Sequence, residues 1–196
     1  MLRFLLLITM GMTTLLLSQA SLSNDANSQY TTIDWTDLIP EHDLEALKNP
    51  PAYLDEIEDG SEADQLSGQL SSDQFADKDD PYQRALASTD IKAEYNNQLV
   101  RVSGFIVPLE FDDEQVVTRF FFVPFFGACI HVPPPPPNQI IYSKFDKGIQ
   151  LKVLYDPFWI EGKLVTELIE NSVAKSAYTM EVHNIEPYTE PPSQSN

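Results

Sequence analysis

Cys129 and His131 stand two residues apart in Gly127-Ala128-Cys129-Ile130-His131-Val132, and five prolines, Pro133 to Pro137, follow at once. On an extended segment, residues two apart leave from one face, so the thiol and the imidazole project together while Ile130 points away. Thiolate and imidazole are ligands that suit Zn(II) and copper. Two ligands do not complete a tetrahedral site, and a single Cys-x-His pair specifies one far less than two Cys-x-x-Cys pairs would. The other histidine of the C-terminal half, His183, is the candidate third ligand. Glu110, Asp112 and Asp156 are carboxylate alternatives among which the sequence does not choose.

The same spacing argues against catalysis by the thiol. A nucleophilic cysteine needs its base within hydrogen-bond reach, whereas the Cβ atoms of strand neighbours two apart are roughly 6–7 Å apart and near-parallel. The expectation is therefore a non-enzymatic site with Cys129, His131 and His183 as metal ligands, zinc as the ion, and no catalytic residue. Two alternatives stand beside it. Cys129 is a small, inert core residue in a protein-interaction module, or it is the reactive group of a thiol-dependent enzyme.

The proline run has no backbone donors and adopts a polyproline II rod, which also holds Val132 extended. It serves as a rigid wall for the Cys-x-His pair or as a stiff connection between strands, in preference to a docking ridge, because it is embedded between strand-like segments.

The elements around this block begin with a leader. Met1 to Ala20 carries one basic residue, Arg3, then an apolar stretch from Phe4 to Leu17, then Ser18-Gln19-Ala20 with small residues suited to signal peptidase. The stretch is shorter than the ~20 residues of a spanning helix, so cleavage near Ala20, export to the periplasm and no stable membrane anchor after cleavage are expected. Cys129 is the single cysteine, which excludes an intramolecular disulfide. The formal charge of −18 repels phosphates, so nucleic acid is not an expected partner.

Composition then divides the chain into a signal peptide at 1–20, an acidic arm and linker with short helices at 21–95, a β-barrel domain at 96–188 and a disordered tail at 189–196. In the arm, Ile33 to Pro40 is a small apolar cluster, and Glu41 to Leu47 makes a short helix ended by Asn49-Pro50-Pro51. A second short helix is expected near Tyr82 to Ala87, and His42 is expected to be an exposed side chain. From Leu99 the pattern is β: 99–109 with Gly104 as a bend, 117–126, 139–142, 149–153, 158–166 and 177–185, with a short helix or loop at 167–174. Phe120, Phe121, Phe122, Phe125 and Phe126 occupy both parities, which requires cover on both sides of the sheet. Five or six strands over this length, the first bent, predict a mainly β fold: a small OB-like barrel, with a β-sandwich as the alternative. Trp35 and Leu38 of the partly helical acidic arm are expected on the barrel exterior.

The blocks Gly104-Phe105-Ile106-Val107-Pro108-Leu109 and Phe121 to Gln139, the latter containing Gly-Ala-Cys-Ile-His-Val-Pro-Pro-Pro-Pro-Pro-Asn-Gln, resemble those of a family of exported bacterial domains of unknown function. Ile33-Asp34-Trp35-Thr36-Asp37-Leu38-Ile39-Pro40 is similar to its N-terminal signature. The resemblance covers most of residues 33–188. It implies an envelope location and a setting beside an inner-membrane transporter component or zinc-uptake proteins, and no established activity. The acidic insert at about 54–75 is longer than the family pattern. The expected function is that of a periplasmic accessory protein of an envelope transport system.

Overall fold

The computed structural model describes residues 29–52, 80–111, 114, 116–127 and 135–189. The expected leader, much of the acidic arm including its insert, and nearly all of the tail lie outside them.

The chain enters through β1 (Thr31–Thr32), which pairs parallel with Val100 and Arg101. A 3-10 turn (Trp35–Leu38) and helix α1 (Glu41–Lys48) follow. Helix α2 (Pro81–Leu86) has Pro at its first turn and Asp80 as its cap, with the Tyr82 amide donating to Asp80 Oδ1 at 2.9 Å. The strands are β2 (Gln98–Phe111), β3 (Val116–Val123), β4 (Ile141–Gln150), β5 (Pro157–Val165), the short pair β6 (Ile169–Glu170) and β7 (Lys175–Ser176), and β8 (Tyr178–Pro187). Among the described residues no helix is long and apolar enough to cross a membrane.

Five of these strands close a barrel in the order β2-β3-β4-β8-β5 and back to β2. All its pairs are antiparallel except β4 with β8. The first three strands form a meander, and the last returns parallel to the third. This is the Greek-key path of an OB barrel, and the β2–β5 pairing excludes the two separate sheets of a sandwich.

Closure depends on β2 serving two partners. Its first half pairs with β5 from Gln98 to Phe105, and its second half pairs with β3 from Phe105 to Phe111. Gly104 stands at the hand-over, where a Cβ would run into the Val123 carbonyl oxygen and the Phe122 ring. Only glycine permits that approach, so the glycine singled out in the sequence stands where the strand changes partner.

Alternation along the strands fills the interior with Val100, Val102, Ile106, Phe120, Phe122, Ile141, Ile160, Leu164, Tyr178, Met180 and Val182. Phe121 and Val123 point outward into a second apolar cluster with Ile140, flanked by Phe105, Val107, Leu109, Tyr142 and Ala174. The phenylalanine run is thus covered on both sides. Phe125 and Phe126 lie beyond the strand, which ends at Val123 before Pro124.

Two expectations are corrected and one alternative is decided. The segments 139–142 and 149–153 are not two strands: Ile141–Gln150 is one, with Ser143 and Phe145 inward and Lys144 and Asp146 exposed. Of the helix or loop expected at 167–174, the structure has the loop, which carries β6 and the turn of the β6–β7 ribbon, with Asn171 Oδ1 accepting from the Val173 and Ala174 amides. Leu38 does not sit on the exterior. It is fully buried in the main core, and Trp35 lies at the same end of the barrel with its ring 5.9 Å from that of Phe122.

Candidate functional site

The block that carries the sequence argument leaves the barrel at the end of β3 and rejoins it before β4. Cys129 and His131 lie outside the described residues, as do Pro133 and Pro134; the chain on either side is described to Gly127 and from Pro135. Gly127 has φ +78, a left-handed turn that suits glycine. On the return side Pro135 and Pro136 are buried and a 3-10 turn runs over Pro137–Gln139.

That return is held by several bonds. The Gln139 amide donates to the Pro136 carbonyl at 2.8 Å, and the Ala177 amide to the Pro137 carbonyl at 2.8 Å. Gln139 Nε2 donates to the Trp35 carbonyl at 2.7 Å, while Trp35 Nε1 donates to the Ser103 carbonyl at 2.7 Å. The arm, the end of the proline run and the bent strand are therefore linked side by side. Both anchors of the block are fixed to the barrel, through Val123 paired with Phe105 and Ile141 paired with Phe122.

Beside the departing end lies an exposed aromatic edge. Phe126 is 51% exposed, Phe125 46% and Tyr155 62%. The Phe126 ring meets Phe105 edge-on at 6.2 Å and Tyr155 edge-on at 6.2 Å, so three rings form a continuous row from the barrel wall to solvent.

His183 is placed on β8 by a β-bulge. Glu161 pairs with Asn184 and Gly162 with Val182, which leaves His183 as the extra residue, a position that re-aims a side chain. Its Nδ1 shares a hydrogen bond with the Tyr30 hydroxyl at 3.0 Å, and Lys147 Nζ donates to its carbonyl at 3.3 Å. Tyr178, the residue of β8 paired with Ile141, lies five positions away, roughly 16 Å along the strand. Of the carboxylates considered, Glu110 is opposite Arg119 in the β2–β3 register and Asp156 is exposed, while Asp112 lies outside the described residues.

One group escaped the sequence argument. His42 is exposed as expected, yet its Nε2 lies 3.4 Å from Asp43 Oδ1 and 3.2 Å from Asp90 Oδ2. Among the described residues this is the set of three histidine, cysteine or acidic ligand atoms that could share one ion. The adjacency of His42 and Asp43 is the only local sign of it. Asp90 is brought in by the chain between α2 and β2.

Tyr178 is the other notable titratable group. Burial raises its pKa to about 12, the hydrogen bond from the Lys92 amide working in the opposite sense. Its hydroxyl donates to the Leu38 carbonyl at 2.9 Å and accepts from that amide at 2.8 Å.

Comparison with known proteins gives one family. Residues 35–187 match the family described as "Protein of unknown function (DUF3299)". The crystal structure of a DUF3299 family protein from Pseudomonas aeruginosa PAO1 is 30% identical, covering 83% of this chain and 98% of that one, with a TM-score of 0.59. No curated protein matches the chain.

Proposed function

The chain belongs to the DUF3299 family, and we propose that it is a non-enzymatic accessory protein of the cell envelope. In this reading it docks on an inner-membrane transport component through the aromatic edge of its barrel, and takes up zinc on the Cys129–His131 block that continues from that edge. The observation that carries it is the row Phe105, Phe126 and Tyr155, whose outer two rings are half exposed or more. Large aromatic side chains left open on a strongly acidic surface are an energetic cost that a partner removes, and they are the residues that dominate protein interfaces. The apolar leader at Met1–Ala20, with small residues at its end, supports an envelope location, and the Cys-x-His spacing supports the metal.

The docking half is tested by replacing Phe126 or Tyr155 with a photo-reactive phenylalanine analogue in cells. A cross-link to an integral membrane protein is expected from both positions and not from Asp146, which is exposed on β4. Equal cross-linking from all three positions removes the docking surface from consideration. The metal half is tested by elemental analysis of the untagged, zinc-replete chain beside Cys129→Ser, His131→Ala and His183→Ala. Loss of an equivalent of zinc in the first two is expected, and the third decides whether His183 is the remaining ligand. An unchanged zinc content in Cys129→Ser and His131→Ala leaves a docking module with an inert thiol. Rapid alkylation of Cys129 at neutral pH would instead favour the thiol-dependent enzyme.

A further inference from the structure

We infer that Asn138 and Gln139 are positioning residues through which the N-terminal arm sets the geometry of the Cys129–His131 block, so that docking of the arm and metal binding on the block promote one another. The inference rests on the reading of that block as a metal site.

The two ends of the block are held by different parts of the molecule. Before Cys129 the chain comes off β3, whose Val123 is paired with Phe105, so the departing end follows the barrel. After His131, only Val132 and the prolines Pro133 to Pro137 stand before Asn138. A proline run has few backbone states, so a shift at its foot carries to its head. The foot meets the barrel through the Ala177 amide, which donates to the Pro137 carbonyl at 2.8 Å. The side chains that follow reach into the arm instead.

Asn138 is fully buried, and its amide nitrogen serves the arm twice. Nδ2 lies 3.2 Å from Asp43 Oδ2 on α1 and 3.2 Å from the Asp90 carbonyl in the segment between α2 and β2. His42 Nε2 lies 3.4 Å from Asp43 Oδ1 and 3.2 Å from Asp90 Oδ2, so the two arm segments that hold Asn138 also meet each other. Gln139 is buried as well and donates from Nε2 to the Trp35 carbonyl at 2.7 Å. Two consecutive residues thus grip the 3-10 turn, α1 and the approach to β2.

The residue type argues for this role over the filling of space. Asn138 Oδ1 is buried and accepts no hydrogen bond among the described residues, which is costly. An apolar side chain would avoid that cost and lose only the two bonds to the arm.

Beyond β1, the arm is tied to the barrel by Trp35 Nε1 on the Ser103 carbonyl and by the Tyr178 hydroxyl on the Leu38 carbonyl. Neither bond belongs to a barrel ladder, so this part can open while the strands stay paired. Opening takes Asp43, Asp90 and Trp35 away from the foot of the prolines, while the end before Cys129 keeps its place. Thiolate and imidazole then lose their fixed relation, and a metal that needs both binds less tightly. Linkage makes the effect mutual: the factor by which the docked arm raises metal affinity is the factor by which metal favours docking.

The test uses the untagged full chain after chelator treatment, titrated with Co(II) and followed by thiolate-to-cobalt charge transfer, which reports Cys129 alone because it is the single cysteine. Asn138→Ala should weaken binding by about tenfold or more. Tyr178→Phe, which loosens the arm at Leu38 and removes no bond of Asn138 or Gln139, should weaken it in the same direction. Asp146→Asn, at an exposed position on β4, should leave it unchanged. In the unaltered chain, saturating Zn(II) should slow amide exchange at residues 33–39 by about tenfold or more, with β5 and β8 as they were. The Tyr178→Phe titration and the exchange of the unaltered chain decide the matter should Asn138→Ala fail to fold. Equal cobalt affinity in the variants and the unaltered chain, or zinc that leaves exchange at 33–39 as it was, overturns the inference and leaves the block a metal site. Absence of charge transfer in the unaltered chain overturns the metal reading itself, and the inference with it.

Discussion

Tyr178 on the last strand donates its phenolic hydrogen to the main-chain carbonyl of Leu38 at 2.9 Å, and so ties the N-terminal arm to the centre of the barrel core. The hydroxyl also accepts from the Lys92 amide, so one side chain joins three segments. Ionisation would break the first of these bonds and place a charge in the core.

The consequence is a pH dependence of known sign. The ordinary tyrosine pKa of 10.0 is raised by burial to about 12 in the folded chain, so the folded state keeps its proton where the unfolded state has lost it. Stability from this group is fully present below pH 10 and falls as pH rises towards 12, by about 2–3 kcal/mol in all. Tyr178→Phe should lower stability at neutral pH and flatten the alkaline fall. Urea melts across that window measure both, and an equally steep fall in the variant would show that other groups are responsible.

Gly104 should tolerate no side chain. The Cβ of Gly104→Ala would meet the Val123 carbonyl oxygen, which is backbone committed to the β2–β3 pairing and cannot swing aside. A loss of about 3 kcal/mol is expected, against a few tenths for the neighbouring Ser103→Ala. A Gly104→Ala protein as stable as the unaltered chain would mean that β3 does not approach β2 as closely as described.

Arg101 and Glu161 form an ion pair of 2.5 Å on the barrel wall, with both side chains at least 85% buried and the guanidinium 4.6 Å from the centre of the Trp159 ring. Glu161 also accepts from Asn184. Removing Arg101 takes the cation from a buried carboxylate, at a cost of about 3–5 kcal/mol, whereas removing Glu161 leaves Arg101 beside Glu186 Oε2 at 3.6 Å and costs less. The double replacement Arg101→Met with Glu161→Leu should therefore be more stable than Arg101→Met alone. Thermal unfolding of the four proteins gives the coupling, and simple additivity would contradict the buried-pair account.

Much of the barrel was legible because its constraints are local. A glycine inside an apolar alternation marks a bend, and phenylalanines at both parities mark a sheet covered twice, as Phe120, Phe121 and Phe122 are. The failures have equally physical causes. Between Ser143 and Gly148 the outward positions are Lys144 and Asp146, and Phe145 is the one large inward side chain, so a continuous strand read as a polar break. Leu38 enters the core because the barrel end is open to the arm, a fact of closure that no window of sequence contains. The His42, Asp43, Asp90 and Asn138 group is more distant still, since its members come from three separated segments and only the first two are adjacent.

That dependence on separated segments gives the arm a stability of its own to measure. Gln139 Nε2 holds the Trp35 carbonyl at 2.7 Å, and Trp35 Nε1 holds the Ser103 carbonyl at 2.7 Å. Neither bond belongs to a barrel ladder, so the arm can open while the strands stay paired. Gln139→Ala removes one of the two and leaves the part-buried Trp35 carbonyl without this donor, a change of about 1–3 kcal/mol. Amide exchange of residues 33–39 should then accelerate by about tenfold or more, because opening free energy maps directly onto protection. Exchange in β5 and β8 should stay as it was, since their pairing to each other does not pass through the arm. If all strands accelerated together, the arm would be part of one cooperative unit with the barrel, and the Leu38 contact with Tyr178 would be as essential to closure as Gly104.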